Sequence, residues 1–423
     1  MDQQATHVLR DSRISASGWK TFLAVMGPGL VVMLADTDVG SIITAAQSGV
    51  QWGYRLLLLQ LLLMPVLYIV QELTVRLGIF TGKGHGELIR NTFGGGWAWV
   101  SVGGLGVATI GALITEFSGV AGVGELFGVP RIVSLGIATV FLLAIVLTGT
   151  YRRVERVAIA LGLFELAFFI VAWRSHPQGA ELTAGLAHMP VTNSAYLYLV
   201  AANIGAVIMP WMIFYQQSAI ADKKLRPCHY RHAQWDTAFG SVIAQAVMAA
   251  VLIAAAATIG KLHTEAGASL NSISDITKML VPALGPNVGR VVFGFGTIGA
   301  AMVAAIVVSL ASAWGFGEVT GYRHSLEHHP LDAPWFYGIY AVAVIGGAVI
   351  VDLVPDLVAL NIGVEVMNAL MLPLVLGFLV LLAFKALPPE HRLRGPYAWL
   401  VVAVSVLTAG LGVYGGITGV HIL

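Results

Sequence analysis

Eleven long apolar stretches run through this chain, and they constrain its fold more than any other feature. They cover roughly residues 23–47, 54–75, 97–126, 131–149, 157–173, 195–220, 237–260, 289–315, 335–351, 357–384 and 396–420. Most approach or exceed the roughly 20 apolar residues that a helix needs to cross a bilayer. They are too long for barrel strands and do not alternate with period two, so an all-α polytopic membrane protein is expected. Composition agrees: 11% of the 423 residues are charged and the mean hydropathy is +0.82, against about 25% charged in soluble domains. A soluble globular enzyme, a disordered chain and a disulfide-stapled secreted domain are excluded. The single cysteine, Cys228, can form no internal disulfide. A net charge of +1 offers no field for nucleic acid, so no nucleic-acid partner is expected.

Basic residues set the expected orientation. With the N-terminus inside, alternate loops place 17 Lys and Arg on the inner side against 6 outside, as the positive-inside rule requires. The C-terminus then lies outside. Residues 1–22 are expected to be a cytoplasmic segment, with no cleavable signal peptide. Residues 23–423 are expected to be a single transmembrane domain. Compact loops suggest a prokaryotic plasma membrane, and a monomer is the expected functional unit.

The acids left at membrane depth are more telling. The spans contain Asp36, Asp38, Glu116, Glu165 and Glu365, with Glu72 near a span end, and no Lys or Arg well inside. An ionisable group there costs at least a few kcal/mol and marks a functional site by default. Carboxylates without basic partners must be protonated, be hydrated or meet a cation from outside.

Two spans carry interruptions. In the first, Asp36-Thr37-Asp38-Val39-Gly40-Ser41 sets two acids, two hydroxyls and a glycine in an apolar run, a poor helix-forming combination. In the sixth, Gly205-Ala206-Val207-Ile208-Met209-Pro210-Trp211 contains a proline that frees carbonyls one turn earlier. Broken helices in corresponding segments of two halves mark the substrate site of inverted-repeat transporters. Met209 adds a thioether, a ligand that favours transition metals over magnesium or calcium. Capping or a simple kink is the structural alternative in each case. Glu365 and Asn368 share a helix face, and Thr115, Glu116 and Ser118 form a polar cluster; both could equally be interhelical hydrogen bonds. Glu165 reads as structural or as a minor proton-path residue. His324, His328 and His329, like Cys228 and His229, read as loop residues, and Asp236 as the cap of the seventh helix.

These residues carry a family resemblance. Gly27-Pro28-Gly29 leading to Asp38-Val39-Gly40-Ser41 resembles the Gly-Pro-Gly start and Asp-Pro-Gly-Asn motif of the Nramp (natural resistance-associated macrophage protein) divalent-metal transporters. Arg76-Leu77-Gly78 with Thr81-Gly82-Lys83, Leu126-Phe127-Gly128-Val129-Pro130, Gly205 to Pro210 followed by Ser218-Ala219, and Leu372-Pro373 resemble further family segments. The resemblance implies a leucine-transporter-like 5+5 inverted repeat over about 23–173 and 195–384, with an eleventh helix at about 396–420. It implies metal ligands at Asp38, Ser41, Ala206 and Met209. It sets Glu365 where the family has a Gln near the metal, and Glu116 on a third-helix Asp used in proton movement. Val39 replaces the motif Pro, Ser41 the Asn, Trp211 a His and Gly119 a Glu, while Asp36 is an added acid.

The expected function is secondary transport of a divalent transition metal, Mn²⁺ or Fe²⁺ first, with proton coupling. The ion is a substrate and no cofactor is expected. Asp36 and Glu365 would add oxygens, and Glu116 would accept protons. Mg²⁺ or broad divalent transport without proton coupling is the nearest alternative, and amine transport on the same fold a further one. An intramembrane enzyme is not expected: the chain has no His-Glu-x-x-His and no Gly-x-Ser-x-Gly.

Overall fold

The computed structural model describes residues 25–148, 150–187, 189–258, 285–353 and 357–420. The expected cytoplasmic segment 1–22 lies outside them, as do Lys261 and Lys278 of the expected outer side. Every regular element among the described residues is helical. The first span is two helices, α1 (Pro28–Asp36) and α2 (Val39–Trp52). It is followed by α3 (Leu57–Thr81), a short α4 (His85–Phe93), α5 (Gly95–Leu126) and α6 (Arg131–Thr148). The fifth span is α7 (Tyr151–Gly162) and α8 (Ala167–Arg174), joined by the 3₁₀ turn Leu163–Leu166. After the short α9 (Gly179–Ala187), the sixth span is again divided, into α10 (Ser194–Val207) and α11 (Pro210–Asp222). The remaining spans are α12 (Tyr230–Ala257), α13 (Pro286–Thr320), α14 (Pro334–Leu353), α15 (Leu357–Lys385) and α16 (Gly395–Val420).

Among the described residues, ten runs are long and apolar enough to cross a membrane, and one of them, Val39–Thr81, has 43 residues. At about 1.5 Å per residue such a run would reach roughly 65 Å, about twice the hydrocarbon thickness. The turn Gly53–Leu56 divides it into α2 and α3, so it is two crossings. With α1 counted as the first half of α2's span, the eleven expected crossings are all present.

The divided spans sit at the centre. α2 packs against α10, and α1 against α11, so the two broken helices cross with opposite polarity. α12 packs along α1, α2 and α3, while α15 closes over α2 and α10. α13 lies between α5, α11 and α14, and its stretch from Ala300 to Ala305 is almost fully buried. The perimeter is the reverse. Trp173 is 80% exposed, Val342 73% and Val406 67%. Large apolar side chains facing outward on several helices are what lipid, not water, would cover.

α4 and α9 were not expected. α4 is amphipathic: Leu88 and Ile89 are buried while Arg90 and Asn91 are exposed. Both helices are too short to register as spans.

Candidate functional site: the junction of two broken helices

Both breaks have the same form, two residues of non-helical backbone. In the first, Thr37 (φ −81°, ψ 45°) ends α1 and Asp38 (φ −69°, ψ 175°) starts α2. In the second, Ile208 (φ −127°, ψ 87°) ends α10 and Met209 (φ −96°, ψ 142°) starts α11. Pro210 cannot donate to the turn before it, which fixes the second break. The first is fixed by capping. Asp38 Oδ1 accepts from Ser41 N at 2.7 Å, as an N-cap residue does.

One hydrogen bond joins the breaks. Ser41 Oγ donates to the carbonyl oxygen of Ala206 at 3.0 Å. That carbonyl belongs to the last turn of α10, where no following helical N–H donates to it. Two other acids reach the junction. The backbone N–H of Val39 donates to Glu116 Oε2 at 3.3 Å. Glu365 of α15 lies against Gly40: a methyl built on Gly40 would stand 2.1 Å from Glu365 Oε1 and 3.5 Å from Asp38 Oδ1. Only glycine allows this approach. Gly205 does the same for α10, since a methyl there would meet the Glu365 carbonyl oxygen at 1.8 Å.

Asp38, Ser41, Ala206, Met209, Glu116 and Glu365 are therefore gathered at or beside the two breaks, and all are buried. Asp36 turns elsewhere. Its Oδ2 accepts from Gln245 Nε2 of α12 at 3.4 Å. It remains within electrostatic range of Asp38, Glu165 and Glu365. No ion pair among the described residues involves any of the five acids; the ion pairs go to Glu72, Glu87, Glu125 and Glu155. Asp38 Oδ2 and Asp36 Oδ1 have no hydrogen-bond partner among the described residues. Nor do three His, Cys, Asp or Glu side chains converge there on a metal-sized point. What the junction offers a cation is mixed: one cap carboxylate, a hydroxyl, a carbonyl, a thioether nearby, and Glu365 close to Asp38.

Two departures from the family motif fit each other. A methyl built on Gly119 would lie 2.4 Å from Val39 Cγ2. The Val39 side chain fills the space that a larger residue at 119 would need.

One sequence reading changes, one gains a partner and one residue was missed. Asp236 does not cap the seventh helix, because α12 begins six residues earlier. Instead its Oδ2 accepts from Gly27 N (3.1 Å) and Gly29 N (2.8 Å), and its Oδ1 from Leu30 N (3.2 Å). It caps α1 from across the protein, satisfying N–H groups that the helix start leaves without partners. Glu165, read as structural or as a minor proton-path residue, meets Thr37 in the first break. Glu318 was missed, lying past the expected end of the eighth span. It is buried, accepts from Gly86 N at 2.8 Å and contacts Ser218 Oγ of α11. Beside it His85 Nδ1 lies 2.9 Å from Gln217 Oε1. Burial pulls the His85 imidazole down to about 4, against the smaller opposing effect of the Gln217 bond, so it is neutral near pH 7. The sequence signal was there in Glu318, an acid one turn from a span end. His328 and His329 are exposed, as is Cys228, in keeping with loop roles.

Comparison with known proteins follows from this geometry. The family described as natural resistance-associated macrophage protein-like matches residues 29–418. The divalent metal cation transporter MntH of Klebsiella pneumoniae (strain 342) is 28% identical, over 96% of this chain and 97% of the relative. MntH of Yersinia pestis (strain Pestoides F) is 31% identical over 69% of this chain and 72% of its own. Among solved structures, the Eremococcus coleocola manganese transporter superposes with a TM-score of 0.78 at 21% identity, covering 96% of this chain and 89% of that one. A Na⁺-coupled sialic acid symporter gives 0.54 at 11% identity, covering 93% and 88%. The fold is thus the leucine-transporter-like 5+5 repeat with an eleventh helix.

Proposed function

The chain belongs to the natural resistance-associated macrophage protein-like family, and from that premise we propose that it transports divalent metal cations across a membrane, holding the ion between its two broken helices. The observation that carries the reading is the Ser41–Ala206 hydrogen bond. It brings the cap carboxylate of one break beside the free-ended carbonyls of the other, with no basic side chain in attendance. The names of the curated relatives, divalent metal cation transporters, and of the structural neighbour, a manganese transporter, support the same class of cargo.

Asp38 anchors the ion. Its Oδ1 is engaged by Ser41 N, while Oδ2 is not engaged by any described residue. The Ala206 carbonyl and Ser41 hydroxyl supply neutral oxygens, and Met209 a thioether. Glu365, and Asp36 from a greater distance, supply further oxygens directly or through water. Mn²⁺ and Fe²⁺ are the first choices, because a thioether contributes little to a hard ion such as Mg²⁺ or Ca²⁺. The carboxylate-rich surroundings favour a second reading, Mg²⁺ or broad divalent transport without proton coupling. Glu116, held by the Val39 N–H, is a proton acceptor for coupled transport. Alternating access follows from the two halves rocking around the breaks. The working unit is a monomer in a prokaryotic plasma membrane, with the N-terminus cytoplasmic.

The test is Mn²⁺ uptake into liposomes holding the purified chain, with Mg²⁺ as competitor. Uptake that survives a large excess of Mg²⁺ and is lost in Asp38→Ala supports the proposal. Unchanged uptake in Asp38→Ala contradicts it. Abolition by equimolar Mg²⁺ favours the second reading.

A further inference from the structure

Glu165 stands in the 3₁₀ turn that interrupts the fifth span, fully buried, and reaches the first break from the side of α7 and α8. Its Oε2 is hydrogen-bonded to Thr37 Oγ1. That same hydroxyl oxygen lies 2.9 Å from the carbonyl oxygen of Leu34, one turn back in α1. A threonine hydroxyl carries one hydrogen, and a carbonyl carries none. The hydroxyl can give that hydrogen to Leu34 or to Glu165, not to both; where Leu34 takes it, the contact with Glu165 is a hydrogen bond only if the carboxyl supplies the hydrogen. Glu165 Oε1 has no partner among the described residues.

Glu72 shows what a well-supported buried carboxylate looks like in the same protein. Its Oε1 accepts from Arg76 Nε and Nη2 at 3.1 and 2.9 Å, from Gln234 Nε2 at 3.3 Å and from Tyr230 OH; its Oε2 accepts from Tyr397 OH at 2.9 Å. Glu165 has none of this support. An ionised carboxylate so poorly solvated costs several kcal/mol, and a buried acid escapes that cost by keeping its proton.

We propose that Glu165 is held in the first break as a neutral carboxylic acid, and that it releases this proton when a cation settles at Asp38. The inference rests on the transport reading above and adds the group that exchanges the proton. Asp38 lies within electrostatic range of Glu165, as does Asp36. The other ionisable residues of the packed elements lie towards helix ends: Arg152, Arg153, Glu155 and Arg156 on α7, Arg174 on α8, Arg290 and Glu318 on α13. A doubly charged ion at Asp38 favours the ionised form of a neighbouring acid. The O–H bond of Glu165 breaks, its electron pair stays on the carboxylate, and the proton passes to water. Thr37 then turns its own hydrogen from Leu34 to the new carboxylate. The Leu34 carbonyl loses that partner, and the last turn of α1 is loosened.

The experiment is Mn²⁺ uptake into liposomes with an interior pH dye, comparing the native chain with Glu165→Gln. The amide still donates to Thr37 but cannot titrate. The expected result is Mn²⁺ uptake retained and the metal-evoked pH change lost. A full pH change in Glu165→Gln overturns the inference, as does native Mn²⁺ uptake without any pH change. Absence of native uptake would instead overturn the transport reading. A second measurement needs no transport: the infrared difference spectrum of the purified chain on adding Mn²⁺. A protonated-carboxyl carbonyl band should disappear on metal binding, and its position should shift in Thr37→Val, which removes the oxygen that accepts from Glu165. A spectrum without such a band, or with one indifferent to Thr37→Val, contradicts the proposal.

Discussion

The two breaks share a shape and differ in chemistry. Each interrupts its span by two non-helical residues, and each is buried. The first is lined by acids: Asp38 within it, Glu116 on Val39, Glu365 on Gly40 and Glu165 on Thr37. The second is apolar: Ile208, Met209, Pro210 and Trp211 are all nearly or fully buried, and its polar contribution is backbone, through Ala206. Capping explains why. α2 begins at its break and recruits a carboxylate to its N-terminal N–H groups, where negative charge is favoured. α11 also begins at its break, but on Met209 with no side-chain cap, so the polar groups there are the carbonyls that end α10. One break supplies charge and the other supplies neutral, softer ligands.

That division orders the effects of substitution. Asp38→Ala removes the charged ligand and the cap together. Losing one partner of a buried charge pair costs about 2–5 kcal/mol, so Mn²⁺ affinity should fall by ~100-fold or more in a binding titration. An equal fall on Ala substitution at Met209 would break the comparison. Gly119→Glu tests the match between motif departures. The added carboxylate meets Val39, and overpacking of about 1–3 kcal/mol should appear as a lower midpoint of thermal unfolding in detergent. Removing the bulk with Val39→Ala in the same chain should recover part of it. Asp236→Ala leaves the N–H groups of Gly27, Gly29 and Leu30 without their shared acceptor. A loss of about 1–3 kcal/mol is expected, seen as faster amide hydrogen exchange at the start of α1 with little change around α10. The smallest effect is expected for Met209→Ala: Mn²⁺ uptake persists, but discrimination against Ca²⁺ narrows in a competition assay.

Much of this was legible in the chain. The spans follow from apolar length, and both breaks from local composition: Asp36-Thr37-Asp38 is too polar for a continuous helix, and Pro210 cannot continue one. What could not be read is what lies far apart in sequence. The Ser41–Ala206 bond crosses 165 residues and the Asp236 cap of α1 crosses 207 to Gly29. Periodicity reports which face of a helix is apolar, not which helix it meets. Asp36 shows the limit well. As an added acid beside the motif it suggested a metal oxygen, and its hydrogen bond to Gln245 could not be foreseen. The contact of Glu165 with Thr37 was not legible, because nothing local links a fifth-span acid to the first break. Glu318 was lost to a span boundary a few residues short.

The central claim is that a metal ion rests between the two breaks, and anomalous X-ray scattering from crystals grown with Mn²⁺ tests it most directly. The account predicts a manganese peak at bonding distance from both an Asp38 carboxylate oxygen and the Ala206 carbonyl oxygen. A peak elsewhere in the protein, with none between those two atoms, would contradict it.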